Sequence, residues 1–290
     1  MADIRPMNFG EILDGSLVMY RRHFGLFFKL VAVVLAVPVI LLVYASARWQ
    51  GAFLTRTQDP TAALSMLAWF FPIAIFYYLA SLVLTAGTVR IISDAYLGRT
   101  PRLQDALSLG LSKMWGLVGV GLGKFVILLL CMVAVGIVFG VLVVLAKTLG
   151  AVGVLLMIGA GVAGVWFVVY ALCGYGLTTP VLVLEELGSA FDAFRRSWEL
   201  TRGFRGKVFG LAAVAFLLFN VLPAWVMQVP VVITRLTMPG LSIALGALAT
   251  VVPVILAPAI AAVITLMYYD LRVRREAFDL QVLGQQLGIV

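Results

Sequence analysis

The chain holds one histidine in 290 residues, two cysteines, and charged side chains at only 12% of its positions. Each shortage closes off some chemistry. With His23 alone, a metal centre or a histidine acid–base catalyst lacks the ligands and partners it needs. Cys131 and Cys173 lie inside apolar stretches without CxxC spacing, which points to packing rather than to a disulfide or a metal site. HExxH, GxSxG and Walker-type loops do not occur, and no pair of carboxylates falls within an apolar run. The residues therefore call for no cofactor and no metal. Charge this sparse also excludes a water-soluble domain of this length, whose surface would be left uncovered.

What is abundant is apolar sequence, 63% of the chain, with a mean hydropathy of +1.11. Charge-free runs cover 30–47, 62–89, 125–146, 148–184, 208–234 and 236–269, each of 18 residues or more. About 20 apolar residues cross a bilayer as a helix, so six transmembrane helices are expected. These runs do not alternate polar and apolar residues, which excludes a membrane β-barrel. The longest exceed one bilayer thickness and require tilt, kinks or an interfacial continuation.

Basic residues give the orientation. Arg5, Arg21, Arg22 and Lys29 precede the first span, and further groups follow the second, fourth and sixth, which puts seventeen on one side. Arg48, Arg56, Lys147 and Arg235 make four on the other. The positive-inside rule then places both termini in the cytoplasm. The net charge of +8 is spread over juxtamembrane segments, a distribution that suits topology and anionic headgroups rather than nucleic acid. Asp3, Glu11 and Asp14 before the first apolar run do not fit the short basic head of a cleavable signal peptide, so the first span is expected to stay as an anchor.

An internal period runs through this pattern. Asp14, Asp105 and Asp192 are each followed eleven positions later by a glycine, Gly25, Gly116 and Gly203, at the mouth of an apolar run. The aspartates are 91 and 87 residues apart, and each lies in a basic amphipathic segment. In 9–22 the apolar residues Phe9, Ile12, Leu13, Leu17 and Tyr20 share one helical face. Leu103, Leu107 and Leu111 do so after Thr100-Pro101, and Phe191, Phe194, Trp198 and Leu200 form the third stripe. Such segments lie in the headgroup plane, and the glycines let the chain turn into the membrane. The expected fold is an all-α integral membrane protein, six transmembrane helices in three repeats of interfacial helix plus two spans. The chain 1–290 reads as a single membrane domain with units near 8–98, 99–187 and 188–280 and an amphipathic tail over 271–290.

Half of the 28 glycines fall between Gly110 and Gly176. The pairs Gly119/Gly123 and Gly136/Gly140 have GxxxG spacing, which suits close packing of spans three and four; the homo-oligomeric state is left open. The fifth apolar run is the least regular, with Asn220, Pro223, Trp225, Gln228 and Pro230, and the sixth carries Pro253 and Pro258. Broken helices with polar groups at membrane depth build binding sites in many transporters, although prolines can also simply kink a span. Asp94, Asp270 and Glu185-Glu186 stand at the ends of the even-numbered spans, where ion pairs with nearby arginines are the plain reading.

Three stretches carry a family resemblance. Phe9-Gly10-Glu11-Ile12-Leu13-Asp14-Gly15-Ser16, Ala193-Phe194-Arg195-Arg196-Ser197-Trp198-Glu199-Leu200-Thr201 and Tyr268-Tyr269-Asp270-Leu271-Arg272-Val273-Arg274-Arg275-Glu276-Ala277-Phe278-Asp279-Leu280 together resemble the glycerophosphoryl diester phosphodiesterase membrane-domain family, with Ala277 where glycine is common. The resemblance implies a bacterial inner-membrane module without the catalytic barrel of the fused members. The basic cytoplasmic face points to a non-enzymatic scaffold that binds membrane lipids, anionic ones above all, or a membrane-protein partner, and its spread over juxtamembrane segments calls for no nucleic acid. The residues expected to carry binding are Arg195, Arg196, Arg202, Arg205, Arg272, Arg274 and Arg275. The alternative is a transporter or lipid translocator with Asn220, Trp225 and Gln228 lining a cavity, and a membrane-embedded hydrolase is a distant third.

The charge asymmetry makes a direct prediction. In intact cells, an impermeant thiol reagent should modify Gln58→Cys and spare Gln104→Cys; the opposite pattern reverses the orientation.

Overall fold

The computed structural model describes residues 5–54 and 60–276; positions 55–59, in the loop between the first two apolar runs, and positions 277–290 of the expected amphipathic tail lie outside the described residues. Among the described residues there is no strand. The helices are α1 (Phe9–Arg22), α2 (Phe24–Leu54), α3 (Pro60–Tyr96), α4 (Leu103–Leu149), α5 (Ala151–Gly174), α6 (Thr178–Leu184), α7 (Ala190–Thr201), α8 (Arg205–Phe216), a π-helical turn Leu217–Val221, α9 (Leu222–Thr237) and α10 (Pro239–Glu276).

Six helical stretches are long and apolar enough to cross a membrane: Phe24–Ala45, Ala68–Tyr96, Leu103–Ala146, Ala151–Leu184, Arg205–Arg235 and Gly240–Glu276. Helices α3, α4 and α10 have 37, 47 and 38 residues. At 1.5 Å per residue they measure roughly 55 to 70 Å, against about 30 Å of hydrocarbon, so each outlasts the bilayer core.

The described residues gather into two compact units. The first comprises the chain up to Met114 and from Leu211 onward; the second is Trp115–Gly210.

In the first unit α1 docks on α10. Ile12, Ser16 and Tyr20, spaced four apart, are buried on one face of α1. The Met7 amide donates to Asp270 Oδ1 (2.8 Å), a Cβ on Gly15 would lie 3.6 Å from Leu266, and the Tyr20 hydroxyl donates to the Ile255 carbonyl (2.9 Å). These contacts spread along sixteen residues of α10, Ile255 to Asp270, about 22 Å. The amphipathic stripe alone puts this helix across the ends of the spans. The structure instead lays it lengthwise along α10, whose excess length provides a surface for it. The start of α4 packs on α3 in the same unit. A Cβ on Gly110 would sit 2.8 Å from the Val83 carbonyl oxygen, and one on Gly87 would sit 3.1 Å from that of Ala106. Ala106 itself is fully buried.

In the second unit α7 is seated on α4 and α5. Its N-terminus is closed by a capping box in which the Ser189 amide donates to Asp192 Oδ2 (3.0 Å) and the Asp192 amide to Ser189 Oγ (3.3 Å). Ala193, Phe194, Ser197, Leu200 and Thr201 are its buried face. A Cβ on Gly119 would lie 3.4 Å from that of Ala190, and one on Gly123 would lie 2.7 Å from the Phe194 ring. The pair Gly119/Gly123 therefore receives α7 rather than span four. The α4–α5 seam uses Gly153, Gly161 and Gly164 instead, while Gly136 and Gly140 face nothing within 4 Å.

The glycine turns hold in one place of three. Gly203 has φ +86° between α7 and α8. Gly25 lies inside α2, and the break falls at His23. Gly116 lies inside α4, which runs unbroken from its amphipathic start into the span because no proline interrupts it. The aspartates are likewise unequal: Asp105 and Asp192 stand in the first turn of their helices, whereas Asp14 is mid-helix and Glu11 takes the Asn8 amide (2.6 Å).

Span five is as irregular as its sequence. Ahead of Pro223 the helix widens, and the Leu222 amide bonds the Leu217 carbonyl five residues back.

The glycine environments give a paired test. Gly110→Ala places a methyl group against a backbone oxygen and should destabilise the protein by about 1–3 kcal/mol. Gly136→Ala meets open space and should be neutral or stabilising by up to about 1 kcal/mol through helix propensity. Thermal unfolding in detergent reads both.

Candidate functional site

The most unusual side chain of the second unit is Arg205, the first residue of α8. The turn at Gly203 brings it back over α7, where its guanidinium carbon lies 3.8 Å from the Trp198 ring centre and 3.7 Å from that of Tyr170 on α5; the two rings stand edge to face, 87° apart with centres 6.0 Å from each other. Two cation–π contacts thus hold one guanidinium in place. The clamp is itself positioned. Trp198 lies so close over Gly174 that a Cβ there would collide with its indole. The Gly174 carbonyl accepts from Ser197 (2.8 Å) and Thr201 (3.3 Å), and the Leu177 amide donates back to Ser197 Oγ (3.2 Å). Trp166 stacks on Tyr170, and Tyr175 contacts both Phe194 and Trp198. Arg205 Nε and Nη1 are enclosed without a hydrogen-bond acceptor.

The other arginines expected to bind have carboxylate or further partners. Arg196 pairs with Glu185 (3.0 Å) in a half-buried bridge. Arg195 pairs with Glu199 (3.0 Å) on the exposed side of α7, next to Phe191, whose surface is 81% exposed. Arg202 also has a partner.

In the first unit Arg274 is tied down twice. It pairs with Asp270 (3.0 Å), a fully buried carboxylate, and donates to the Met7 carbonyl (3.0 Å). Asp270 and Arg274 therefore clasp both polar groups of the Met7 backbone. Arg272 pairs with Glu276 (3.0 Å) and donates to the Tyr268 hydroxyl (3.3 Å), and Arg275 has a partner as well. Beside them Ser93 and Tyr269 share a hydrogen bond of 2.6 Å, Tyr96 stacks on Tyr269, and Asp94 pairs with Arg90 (3.0 Å). The ion pairs expected at the ends of the even-numbered spans are thus present for Asp94, Asp270 and Glu185.

Of the residues expected to line a cavity, Asn220 lies in the π-helical turn and is partly exposed. Trp225 is 68% exposed and Gln228 is exposed too, so both point away from the body of their unit. An apolar groove of about 470 Å³ lies on the α4–α5 hairpin, lined by residues such as Phe139, Met157 and Val162, and presents no polar group to orient a substrate. No cluster of metal-ligating side chains occurs among the described residues, and both cysteines are free. Partial burial and the neighbouring Arg22 hold His23 below its usual range, so it is neutral at neutral pH. Burial holds the Tyr20 hydroxyl above its usual range, which keeps it a neutral donor.

No family model, curated protein or solved structure matches the chain.

The clasp on Met7 predicts unequal losses. Asp270→Asn removes a buried charged acceptor from two donors and should cost about 1–3 kcal/mol; Tyr20→Phe removes one neutral bond and should cost about 1 kcal/mol. Denaturant unfolding should rank them in that order, and Asp270→Asn should speed proteolysis ahead of α1.

Proposed function

We propose that the chain is a non-enzymatic multi-pass module of a bacterial inner membrane, with both termini in the cytoplasm, that gathers anionic lipid and a membrane-protein partner at its arginine-bearing ends. The observation that carries this reading is the company the charges keep in the second unit: Arg195, Arg196, Arg202 and Arg205 lie in or just beyond an amphipathic helix, among Trp166, Tyr170, Tyr175 and Trp198. Trp and Tyr favour the membrane–water boundary, and each nearby basic residue contributes on the order of 1 kcal/mol toward an anionic surface. Arg272, Arg274 and Arg275 play the same part at the end of α10, within the stretch that resembles the phosphodiesterase membrane-domain family.

The three-repeat reading belongs to this proposal. Each amphipathic segment sits on the second span of a hairpin: the start of α4 on α3, α7 on α5, and α1 on α10. The residue after each aspartate is small, Gly15, Ala106 or Ala193, and lies in the docking face. The first helix of the chain would then complete the last hairpin.

A second reading, a transporter or lipid translocator, is favoured by the π-helical turn at Asn220 beside the proline-bearing helices α9 and α10. The outward Trp225 and Gln228 count against a cavity at that point.

Combined replacement of Arg195, Arg196 and Arg202 by glutamine tests the leading reading. With topology confirmed unchanged, co-purifying anionic lipid and partner should fall severalfold. Recovery of both at wild-type levels would show that these charges serve topology and local ion pairs only.

A further inference from the structure

We propose that Arg205, held between Tyr170 and Trp198, is the seat of one phosphate group of a membrane phospholipid. The proposal rests on the headgroup-face reading above and names its ligand and its place. The Tyr170 and Trp198 rings, nearly perpendicular to each other, wall the guanidinium on two adjoining sides at 3.7 and 3.8 Å. Its Nε and Nη1 are enclosed and meet no acceptor. Charged donors enclosed in this way are costly unless something satisfies them. The nearby carboxylates Glu185 and Glu199 are engaged with Arg196 and Arg195. A guanidinium presents two in-plane forks, Nε with Nη2 and Nη1 with Nη2, and each matches a pair of phosphate oxygens. Either fork joins one enclosed nitrogen to Nη2, and the residue as a whole is partly exposed, so an oxygen pair arriving at the Nη2 edge satisfies one of the two.

The surroundings point to a lipid as the source of that phosphate. Arg205 opens a membrane-spanning stretch, which sets its charge at headgroup depth. Phe209, one turn further into the span, and Trp166 on α5 are exposed apolar surfaces on the membrane side, where acyl chains would lie. Gly174 acts as a positioning residue, because only a residue without a Cβ lets Trp198 settle over it and form the second wall.

Full-length protein in nanodiscs of equal phosphatidylglycerol and monogalactosyl diacylglycerol, read by native mass spectrometry of retained lipid, tests this. The wild type should retain the phospholipid over the phosphate-free lipid. Arg205→Lys keeps the charge but loses the planar forks, and should reduce that preference about tenfold, which is about 1.4 kcal/mol. Tyr170→Leu, at a partly exposed position, should act in the same direction. An unchanged melting temperature for Arg205→Lys establishes that folding is intact. If Arg205→Lys keeps the wild-type preference, Arg205 is a packing element and the proposal is wrong. If lipid-free protein in detergent binds inorganic phosphate through Arg205 while the nanodisc preference is absent, the ligand is a solute and the lipid assignment is overturned. A loss of preference in Arg205→Lys, with full lipid recovery when Arg195, Arg196 and Arg202 are glutamine, upholds this site and defeats only the broader surface. The reverse result defeats the site and leaves the broader reading standing.

Discussion

Close approach of helix backbones at small residues is the contact on which both units depend. Between membrane helices there is little hydrophobic drive, since lipid chains are as apolar as leucine, so packing and hydrogen bonds must hold them. Both are most effective where backbones nearly touch. Gly110 against the Val83 carbonyl and Gly87 against the Ala106 carbonyl are such places, and at Gly123 and Gly174 the rings of Phe194 and Trp198 lie directly on the bare backbone. Each brings an amphipathic segment onto a span. The bond from Ser197 to the Gly174 carbonyl accompanies one of them, whereas the Tyr20 hydroxyl reaches the Ile255 carbonyl with a long side chain.

The burial pattern follows. In the first unit the run from Leu266 to Leu271 on α10, and Ile91 to Asp94 on α3, are buried side by side with Ile12, Ser16 and Tyr20 of α1. These are the ends where long helices outlast the bilayer and where charges also collect. Along the middle of α4 and α5, by contrast, Val126 to Met132 and Val152 to Trp166 contribute mostly exposed apolar side chains. A surface of that kind is stable in hydrocarbon and would not be in water. The polar ends are thus the packed parts of the molecule, and the apolar middles are its lipid-compatible surface.

Much of this was legible in the sequence. The charge-free runs gave the spans, the stripe from Phe9 to Tyr20 gave the limits of α1, and Pro223 with Asn220 marked the irregular turn of span five. Glycine spacing was the poor guide. The same GxxxG pattern seats α7 at Gly119/Gly123 and faces open space at Gly136/Gly140, because the pattern says that a backbone can be approached and not by what. Gly116 resembles Gly203 in register, yet only the second takes a positive φ, since nothing before Gly116 forces the helix to end. The carboxylates near the arginines foretold their ion pairs. The clamp on Arg205 was not legible, because Tyr170, Trp198 and Arg205 come from three helices and meet only through the turn at Gly203.

That difference bears on what the arginines are for. An arginine paired with a carboxylate four residues away, as Arg195 is with Glu199 or Arg272 with Glu276, has its charge locally offset and attracts a headgroup weakly. Arg205 has no carboxylate, and two aromatic rings hold it in place. The rings stabilise the cation and offer no hydrogen-bond acceptor to its Nε and Nη1. Charge number alone would rank these residues alike, as the sequence does. Geometry separates them: a ligand that satisfies the edge of Arg205 competes with no partner already there, whereas one that binds Arg195 or Arg272 must first displace a carboxylate.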